Sequence, residues 1–276
     1  MLATLCLSYY CLTDYLTPDD LLKPNFMVLC ASVLLTASAG NIINDYLDVN
    51  IDLTNKPDKV VIGKIISRRW AMLLHFIFNG LAICMGFYLK GSIGLMIMVC
   101  AILLWLYSVA FKKQFLTGNV VVALLSALVI VTLYLFNKQI SGYLVWVYAC
   151  FAFGISLIRE IIKDTEDMRG DSKFNCKTLP IVLGVRKTKK LLYTIICIYI
   201  ALIMAHLFIG NSSMIFRHQF NRIFYLIYML LAVLLPLVAA IILLFRADVK
   251  HHFTRLSSLF KLIMVTGLLS MLFIKL

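Results

Sequence analysis

The feature that most constrains this chain is its series of long apolar segments. Several of these runs reach about 20 residues, the length that a helix needs to cross the hydrocarbon core of a bilayer. Hydrophobic residues make up 62% of the chain and charged residues only 14%, whereas soluble domains carry about 25% charged residues. A soluble fold of 276 residues has too small an interior to bury so much apolar helix. We therefore predict an all-α membrane protein.

Nine apolar segments can be marked, and polar connections separate them. They cover residues 2–15, 25–44, 70–89, 92–111, 119–136, 142–162, 191–209, 223–245 and 257–274. We expect them to form one polytopic bundle of about nine transmembrane helices, a single domain over residues 1–276. The first segment is short for a full crossing, so we expect the first helix to be truncated.

Basic residues are distributed unevenly among the connections. Those after the second, fourth, sixth and eighth segments hold 18 lysines and arginines, and the opposite connections hold five. The positive-inside rule places the first set in the cytoplasm. The net charge of +13 then reflects topology and an affinity for anionic membrane lipids. We expect no nucleic-acid partner, because that function needs a basic face on a polar fold.

The acidic residues carry the clearest functional signal. The chain has 13 of them, and nine fall in two clusters at the ends of the second and sixth segments. Both clusters have the spacing D-x-x-D-x-x-x-D. The aspartates are Asp45, Asp48 and Asp52 in the first cluster and Asp164, Asp167 and Asp171 in the second. On a helix these offsets put three carboxylates on one face, where they repel one another.

A divalent cation would relieve this repulsion and explain the spacing. Carboxylate ligands suit Mg²⁺, which keeps several waters and bridges protein carboxylates to substrate phosphates. Two such stripes on one side of a membrane can face the same diphosphate. Two alternatives stay open: each cluster is a solvated turn, or the chain is an ion-coupled transporter. Transporters, however, place intramembrane carboxylates near the bilayer midplane rather than at helix ends.

The residues around both clusters resemble a known family. They read NDYLDVNIDLTNKP over residues 44–57 and REIIKDTEDMRGD over residues 159–171, with TLPI at residues 178–181. These stretches resemble the two signatures of the UbiA-type membrane prenyltransferases, which also have nine membrane segments. The second stretch is most similar to the branch that acts on geranylgeranylglyceryl phosphate, the digeranylgeranylglyceryl phosphate synthases. The Arg/Lys-x-x-Asn element usual in the family's first helix would fall at or before Met1.

The resemblance implies roles for particular residues. Asp45, Asp48, Asp164 and Asp167 would be catalytic. The implied Mg²⁺ ligands are Asn44, Asp45, Asp48, Asp52, Asp164, Asp167 and Asp171. The implied substrate-binding residues are Asn41, Asn44, Lys56, Lys59, Lys64, Tyr107, Lys112, Lys113, Lys163 and Arg169. The lysines are equally explained as positive-inside anchors, and Tyr107 as an interfacial aromatic residue.

The resemblance also implies a reaction. A prenyl group, here geranylgeranyl, would pass from its diphosphate to a lipophilic acceptor. The expected acceptor is geranylgeranylglyceryl phosphate, which would give an ether lipid, and the alternative is an aromatic ring such as 4-hydroxybenzoate or a naphthoate. The expected location is the plasma membrane of a prokaryote, with the site loops in the cytoplasm. Ordinary packing is the favoured explanation for any single aromatic residue in these segments. Those that could instead line the prenyl cavity and stabilise a cation are Phe78, Phe87, Trp105, Tyr107, Tyr148 and Phe153.

Overall fold

The computed structural model describes residues 1–13, 18–55, 58, 60–209 and 219–275. Most of these residues are helical, and the helices in chain order are α1 (Leu2–Leu12), α2 (Pro24–Asn55), α3 (Arg68–Leu89), α4 (Gly91–Val109), α5 (Thr117–Phe136), α6 (Gly142–Lys173), α7 (Leu179–Ile209), α8 (Gln219–Met229), α9 (Leu235–Phe245), α10 (Lys250–Leu269) and α11 (Leu272–Lys275). The predicted all-α class is confirmed.

Within the described part of the chain, eight helical stretches are long and apolar enough to cross a membrane. Helices α8 and α9 form one of these stretches, joined by a π-helical turn at Leu230–Leu234. This turn directly precedes the helix that contains Pro236, whose missing N–H removes a regular helical hydrogen bond. Helix α1 has 11 residues and is about 16 Å long, too short to cross. The eight spans and α1 together fit the expected bundle of about nine helices.

Helices α2 and α6 run well past the apolar segments from which they were predicted. The predicted segments end at residues 44 and 162, whereas the helices end at Asn55 and Lys173. Eleven additional residues extend each helix by about 16 Å. Both aspartate clusters therefore lie on the last turns of long helices, and their spacing places the carboxylates along one helical face.

The two helices that carry the clusters are also the most buried of the eight spans. The apolar windows of α6 and α2 are 61% and 50% buried, compared with 17–39% for the others. Early α6 residues such as Leu144 and Tyr148 pack in a core with α1 to α5. Later ones such as Ile158 and Ile162 pack with α7 to α10. Helix α6 thus packs against both halves of the bundle. This packing fixes the position of the α6 end that carries the second cluster.

The connection between α4 and α5 lies at the end of the bundle that carries the aspartate clusters. It contains a short 3-10 helix, Phe111–Lys113. A Cβ atom at Gly118 would lie 2.9 Å from the Phe111 carbonyl oxygen, so a residue with a side chain would push this turn away from α5. The Lys177 N–H donates to the Lys113 carbonyl at 2.8 Å. This bond ties the turn to the connection that follows α6.

Helix α7 differs most from its predicted segment. We predicted residues 191–209, whereas helix begins at Leu179 and contains a break at Gly184, where φ is 77° and ψ is 158°. Pro180 fits the first turn of a helix, because its missing N–H has no partner to lose there. Glycine accepts the positive φ that other residues avoid. The apolar pattern predicted only the part of α7 that follows its basic residues at positions 186–190.

Candidate active site

The two aspartate clusters line one polar cavity of about 340 Å³. Helix α2 contributes Asp45 and Asp52, and α6 contributes Asp164, Asp167 and Asp171. The side chains come from residues more than 100 positions apart, yet they face the same space because the long helices end on the same side of the bundle. The structure thus brings the clusters together, as their shared spacing predicted.

The central aspartate of the first cluster is paired with a lysine from the turn after α4. Asp48 is 3% exposed, and its carboxylate forms a salt bridge with Lys112. The Lys112 ammonium also donates to the Asn44 side-chain oxygen at 3.4 Å. Lys112 lines the polar cavity together with Asn44. A buried carboxylate needs such a cation, because burial otherwise disfavours its charged form.

The second cluster is held by different groups. The Asn119 side-chain amide, at the start of α5, donates to the Asp164 carboxylate at 2.7 Å. Lys250, the first residue of α10, lies 3.8 Å from the Asp167 carboxylate, and its side chain is 48% exposed. The Asp164 carboxylate is therefore hydrogen-bonded to a neutral amide, whereas the cation beside Asp167 is half in solvent.

An apolar cavity of about 360 Å³ adjoins the polar one. It lies between α2, α4 and α5, and its walls include Val33, Ile97, Leu104 and Val129. Asn41 lines it near the polar end. The residues that line both cavities are Asn44, Tyr107, Glu160 and Lys163. The site therefore consists of a charged cavity next to an apolar cavity.

Glu160 stands at the junction of the two cavities. It is 8% exposed. Its carboxylate accepts one hydrogen bond from the Arg159 guanidinium at 3.0 Å and another from the Lys163 ammonium at 3.3 Å. Two cationic donors thus hold this carboxylate at a nearly dry position. A carboxylate in this place can hold a reacting group in position or accept a proton from it.

The charges of the polar cavity suit a divalent cation. Among the described residues that line it, six carry carboxylates and two, Lys112 and Lys163, carry ammonium groups. A diphosphate cannot enter such a negative space without added positive charge. Within residues 1–13, 18–55, 58, 60–209 and 219–275, no three His, Cys, Asp or Glu side chains converge into one metal-binding group. This arrangement fits Mg²⁺, which takes one or two carboxylates and completes its shell with water and phosphate oxygens.

Cys176 also lies near the cavity, in the connection after α6. Burial raises the pKa of its thiol, and the negative charge of Asp171 adds to the effect. The thiol therefore stays protonated at neutral pH while no metal is bound. Magnesium prefers oxygen to sulfur ligands, so the oxygen ligands of the two clusters are the candidates for metal binding.

Several predicted residues are not part of the cavity walls. Lys64, Lys113 and Arg169 are exposed and lie outside the linings of both cavities. Lys56 and Lys59 lie outside the described residues. Of the six aromatic residues expected around the prenyl group, Tyr107 lines both cavities, and the other five lie outside the linings. For those five the alternative of ordinary packing fits the structure. Phe87 and Trp105 are each 46% exposed, and Tyr148 packs in the core that α6 shares with α1 to α5.

Three residues of the site were not among the predicted site residues. They are Asn119, Glu160 and Lys250. An amide in the otherwise apolar start of α5 was a usable signal for Asn119, since an unpaired amide is costly inside a membrane. Glu160 lies four residues before Asp164, one turn away on the same helical face. Lys250 is on a different helix from Asp167, and its sequence position carries no sign of the contact.

The fold and the site together define a multi-pass integral membrane protein with a carboxylate-lined cavity. Residues 1–264 match the UbiA prenyltransferase family. The chain is 31% identical over 210 residues to the digeranylgeranylglyceryl phosphate synthase of Methanosphaera stadtmanae, a match that covers 75% of this chain and 73% of that protein. The chain therefore belongs to the UbiA prenyltransferase family, and the expected resemblance is confirmed.

Further relatives agree with this membership. The digeranylgeranylglyceryl phosphate synthase of Methanospirillum hungatei is 38% identical over 188 residues, which cover 65% of this chain and 61% of that one. A solved digeranylgeranylglyceryl phosphate synthase superposes with a TM-score of 0.72 at 24% identity, covering 100% of this chain and 93% of the other. A UbiA homologue from Archaeoglobus fulgidus bound to GPP and Mg²⁺ superposes with a TM-score of 0.66 at 17% identity, covering 98% and 96%. These likenesses establish the shared fold.

Proposed function

We propose that this protein transfers a geranylgeranyl group from its diphosphate to geranylgeranylglyceryl phosphate, in a reaction that requires Mg²⁺ and yields an ether lipid. One observation carries the proposal: a carboxylate-lined cavity adjoins an apolar cavity, with Asn44, Tyr107, Glu160 and Lys163 shared between them. A prenyl diphosphate has the same two parts, a charged head and an apolar tail. We infer that residues 1–276 form a single domain for this reaction.

The polar cavity is the proposed site of the diphosphate. Asp45, Asp48, Asp164 and Asp167 are the proposed catalytic ligands of Mg²⁺, and Asn44, Asp52 and Asp171 complete the set. When bound, Mg²⁺ would supply the positive charge that neutralises the departing diphosphate. Lys112 and Lys163 line the same cavity and would add hydrogen bonds to phosphate oxygens. The homologue bound to GPP and Mg²⁺ supports this assignment.

The apolar cavity is the proposed site of the prenyl chain. Its walls of Val33, Ile97, Leu104 and Val129 would exclude water from the allylic cation that forms when the carbon–oxygen bond to diphosphate breaks. The Tyr107 ring lines both cavities, where its electron-rich face would lie near that cation. Water must be excluded because it would otherwise capture the cation and release a free alcohol.

The acceptor hydroxyl must lose a proton as its oxygen bonds to the allylic carbon. We propose that the Glu160 carboxylate takes this proton. It lies at the junction of the two cavities, where the two substrates would meet, and its donors Arg159 and Lys163 would hold it in position for the transfer. The acceptor's own phosphate needs cations too. Lys163 is assigned to the diphosphate, so the basic residues proposed for the acceptor's phosphate are Arg169, Lys173 and Lys177.

The proposed orientation follows from the distribution of charge. The connections after the second, fourth, sixth and eighth apolar segments carry 18 of the basic residues and would face the cytoplasm. The polar cavity would open on that side. The proposed location is the plasma membrane of a prokaryote. A test is labelling of single cysteines: a reagent that cannot cross the membrane should label position 173 from the cytoplasmic side only, and labelling from outside would reject this orientation.

Acceptor identity is tested by direct competition. Purified protein receives geranylgeranyl diphosphate, Mg²⁺ and an equimolar mixture of geranylgeranylglyceryl phosphate and 4-hydroxybenzoate, and products are identified by mass spectrometry. We expect the diether lipid. A prenylated ring without diether would reject the lipid acceptor while leaving prenyl transfer intact. If no acceptor yields a prenylated product or releases diphosphate, the enzymatic assignment is rejected and the ion-coupled transporter is favoured.

A further inference from the structure

We propose that Lys112 occupies the first metal position in the substrate-free protein, and that it moves to the diphosphate when the metal binds. Metal and diphosphate would then bind to the first cluster together rather than independently. The inference rests on the proposed function, since it assumes that a metal and a diphosphate meet in the polar cavity. It adds a role for Lys112 beyond simple attraction of phosphate.

The position of Lys112 relative to Asp48 is the first observation. Asp48 is 3% exposed, and it is absent from the residues that line the polar cavity, whereas Lys112 lines it. The Lys112 ammonium is bonded to the Asp48 carboxylate and to the Asn44 oxygen. It therefore lies between Asp48 and the cavity. Asp48 and Asn44 are both among the four oxygen ligands proposed for a metal at this cluster.

Displacement of Lys112 has an electrostatic consequence. Two cations cannot share Asp48 and Asn44 without strong repulsion. A metal that binds alone would leave the Lys112 ammonium beside it without the buried carboxylate that it now holds. A diphosphate in the same cavity would supply the missing anion, and the flexible four-carbon stem of lysine allows the short movement. Each ligand would thus raise the affinity for the other by the same factor.

In the described part of the chain, Asp164 of the second cluster forms no salt bridge like the one between Asp48 and Lys112. Asp164 accepts a hydrogen bond from the neutral Asn119 amide at 2.7 Å, and a neutral donor is not repelled by a metal. The Lys250 ammonium near Asp167 is 3.8 Å away and its side chain is 48% exposed, so solvent screens it. We therefore expect the second cluster to bind a metal without diphosphate, and the first cluster to bind one only weakly until diphosphate enters.

The test measures metal binding rather than activity. Mn²⁺ is titrated into the purified full chain without diphosphate, and free Mn²⁺ is followed by electron paramagnetic resonance. Lys112→Met should tighten the weaker Mn²⁺ site by about tenfold, which corresponds to about 1.4 kcal/mol. Lys113→Met is the matched control, since it removes the same charge one residue away from an exposed side chain. Asp48→Asn should abolish the weaker site and so identify it.

A second titration measures the coupling. Mn²⁺ binding is repeated with saturating geranylgeranyl thiolodiphosphate, which resists ionisation. The wild-type protein should gain affinity at the weaker site, and Lys112→Met should gain several fold less. If Lys112→Met fails to fold, as judged by its thermal melt in detergent, Lys112→Gln replaces it, because glutamine keeps a donor but carries no charge.

Three results would overturn the inference. The first is a Mn²⁺ affinity in Lys112→Met that equals that of the wild-type protein. The second is a gain in Mn²⁺ affinity in Lys113→Met as large as that in Lys112→Met. The third is an Asp48→Asn variant that binds Mn²⁺ as the wild-type protein does. Failure of the proposed function looks different, because the wild-type protein would then form no prenylated product with Mg²⁺. Normal prenyl transfer together with independent binding of metal and diphosphate would reject the role of Lys112 alone.

Discussion

The two aspartate clusters share one spacing but lie in different electrostatic surroundings. Asp48 of the first cluster is buried against the Lys112 ammonium, whereas Asp164 of the second is bonded to the Asn119 amide. The position four residues before the first aspartate also differs, being Asn41 in α2 and Glu160 in α6. Equal spacing therefore does not imply equal roles. The first cluster is paired with a cation before substrate arrives, and the second carries an additional carboxylate at the junction of the cavities.

The largest expected effect comes from removing a cluster aspartate. Asp48→Ala and Asp164→Ala should each reduce turnover by about a thousandfold, because each removes a ligand that stabilises the departing diphosphate. Formation of prenylated product, followed with a radiolabelled diphosphate, is the measurement. Asp248→Ala is the control, since that side chain is 82% exposed. Activity near the wild-type level in either cluster variant would mean that its cluster plays no part in the chemistry.

The next effect concerns the carboxylate that distinguishes α6 from α2. Glu160→Gln makes the position neutral, like Asn41, while keeping its size. Turnover should fall by about a hundredfold, with little change in KM for the prenyl diphosphate, because glutamine cannot accept a proton. Glu166→Gln is the matched control on the same helix, where Glu166 lies outside both cavity linings. Equal effects of the two substitutions would rule out a specific role for Glu160.

A smaller effect is expected from the amide that supports the second cluster. Asn119→Leu removes the hydrogen bond to Asp164, and activity should fall by about tenfold at limiting Mg²⁺. Higher Mg²⁺ should restore part of the loss, because the metal ligand itself is still present. Asn137→Leu, at the other end of α5, is the control. A loss that does not depend on the Mg²⁺ concentration would mean that Asn119 acts on folding instead.

The smallest effect is expected from Gly40, a residue of α2 that lines the apolar cavity. A Cβ atom at Gly40 would lie 2.8 Å from the Leu104 Cδ1 atom, so Gly40→Ala narrows the cavity by displacing a flexible side chain. Activity with geranylgeranyl diphosphate should fall a few fold, and activity with the shorter geranyl diphosphate should fall less. Gly80→Ala is the control, since nothing lies within 4 Å of its added Cβ. Equal losses with both substrates would place the prenyl chain elsewhere.

Sequence reasoning predicted the parts of this protein that depend on local patterns. Apolar runs indicated the spans, and the repeated spacing indicated that the two clusters act together. The sequence prediction made α2 and α6 too short, because hydropathy reports the apolar part of a helix and not the charged turns beyond it. The polar ends of these helices form because tertiary packing and helical hydrogen bonds continue outside the membrane.

Contacts between distant residues were beyond the reach of sequence patterns. Lys112 and Asp48 are 64 positions apart, and Asn119 and Asp164 are 45 apart. Each pair forms because four helices end around one cavity, and a single sequence does not specify how those ends are rotated. Aromatic residues that line the cavity could not be separated from packed ones for the same reason, since an apolar helix does not reveal which of its faces points inward.

The central claim is that both clusters act on one diphosphate. The most direct measurement is a double-mutant cycle on binding of geranylgeranyl thiolodiphosphate with Mg²⁺, using Asp48→Asn, Asp167→Asn and the double variant. If both aspartates serve the same diphosphate, the losses in binding free energy should fail to add by at least about 0.5 kcal/mol. Losses that add to within about 0.3 kcal/mol would mean independent sites and would contradict this account.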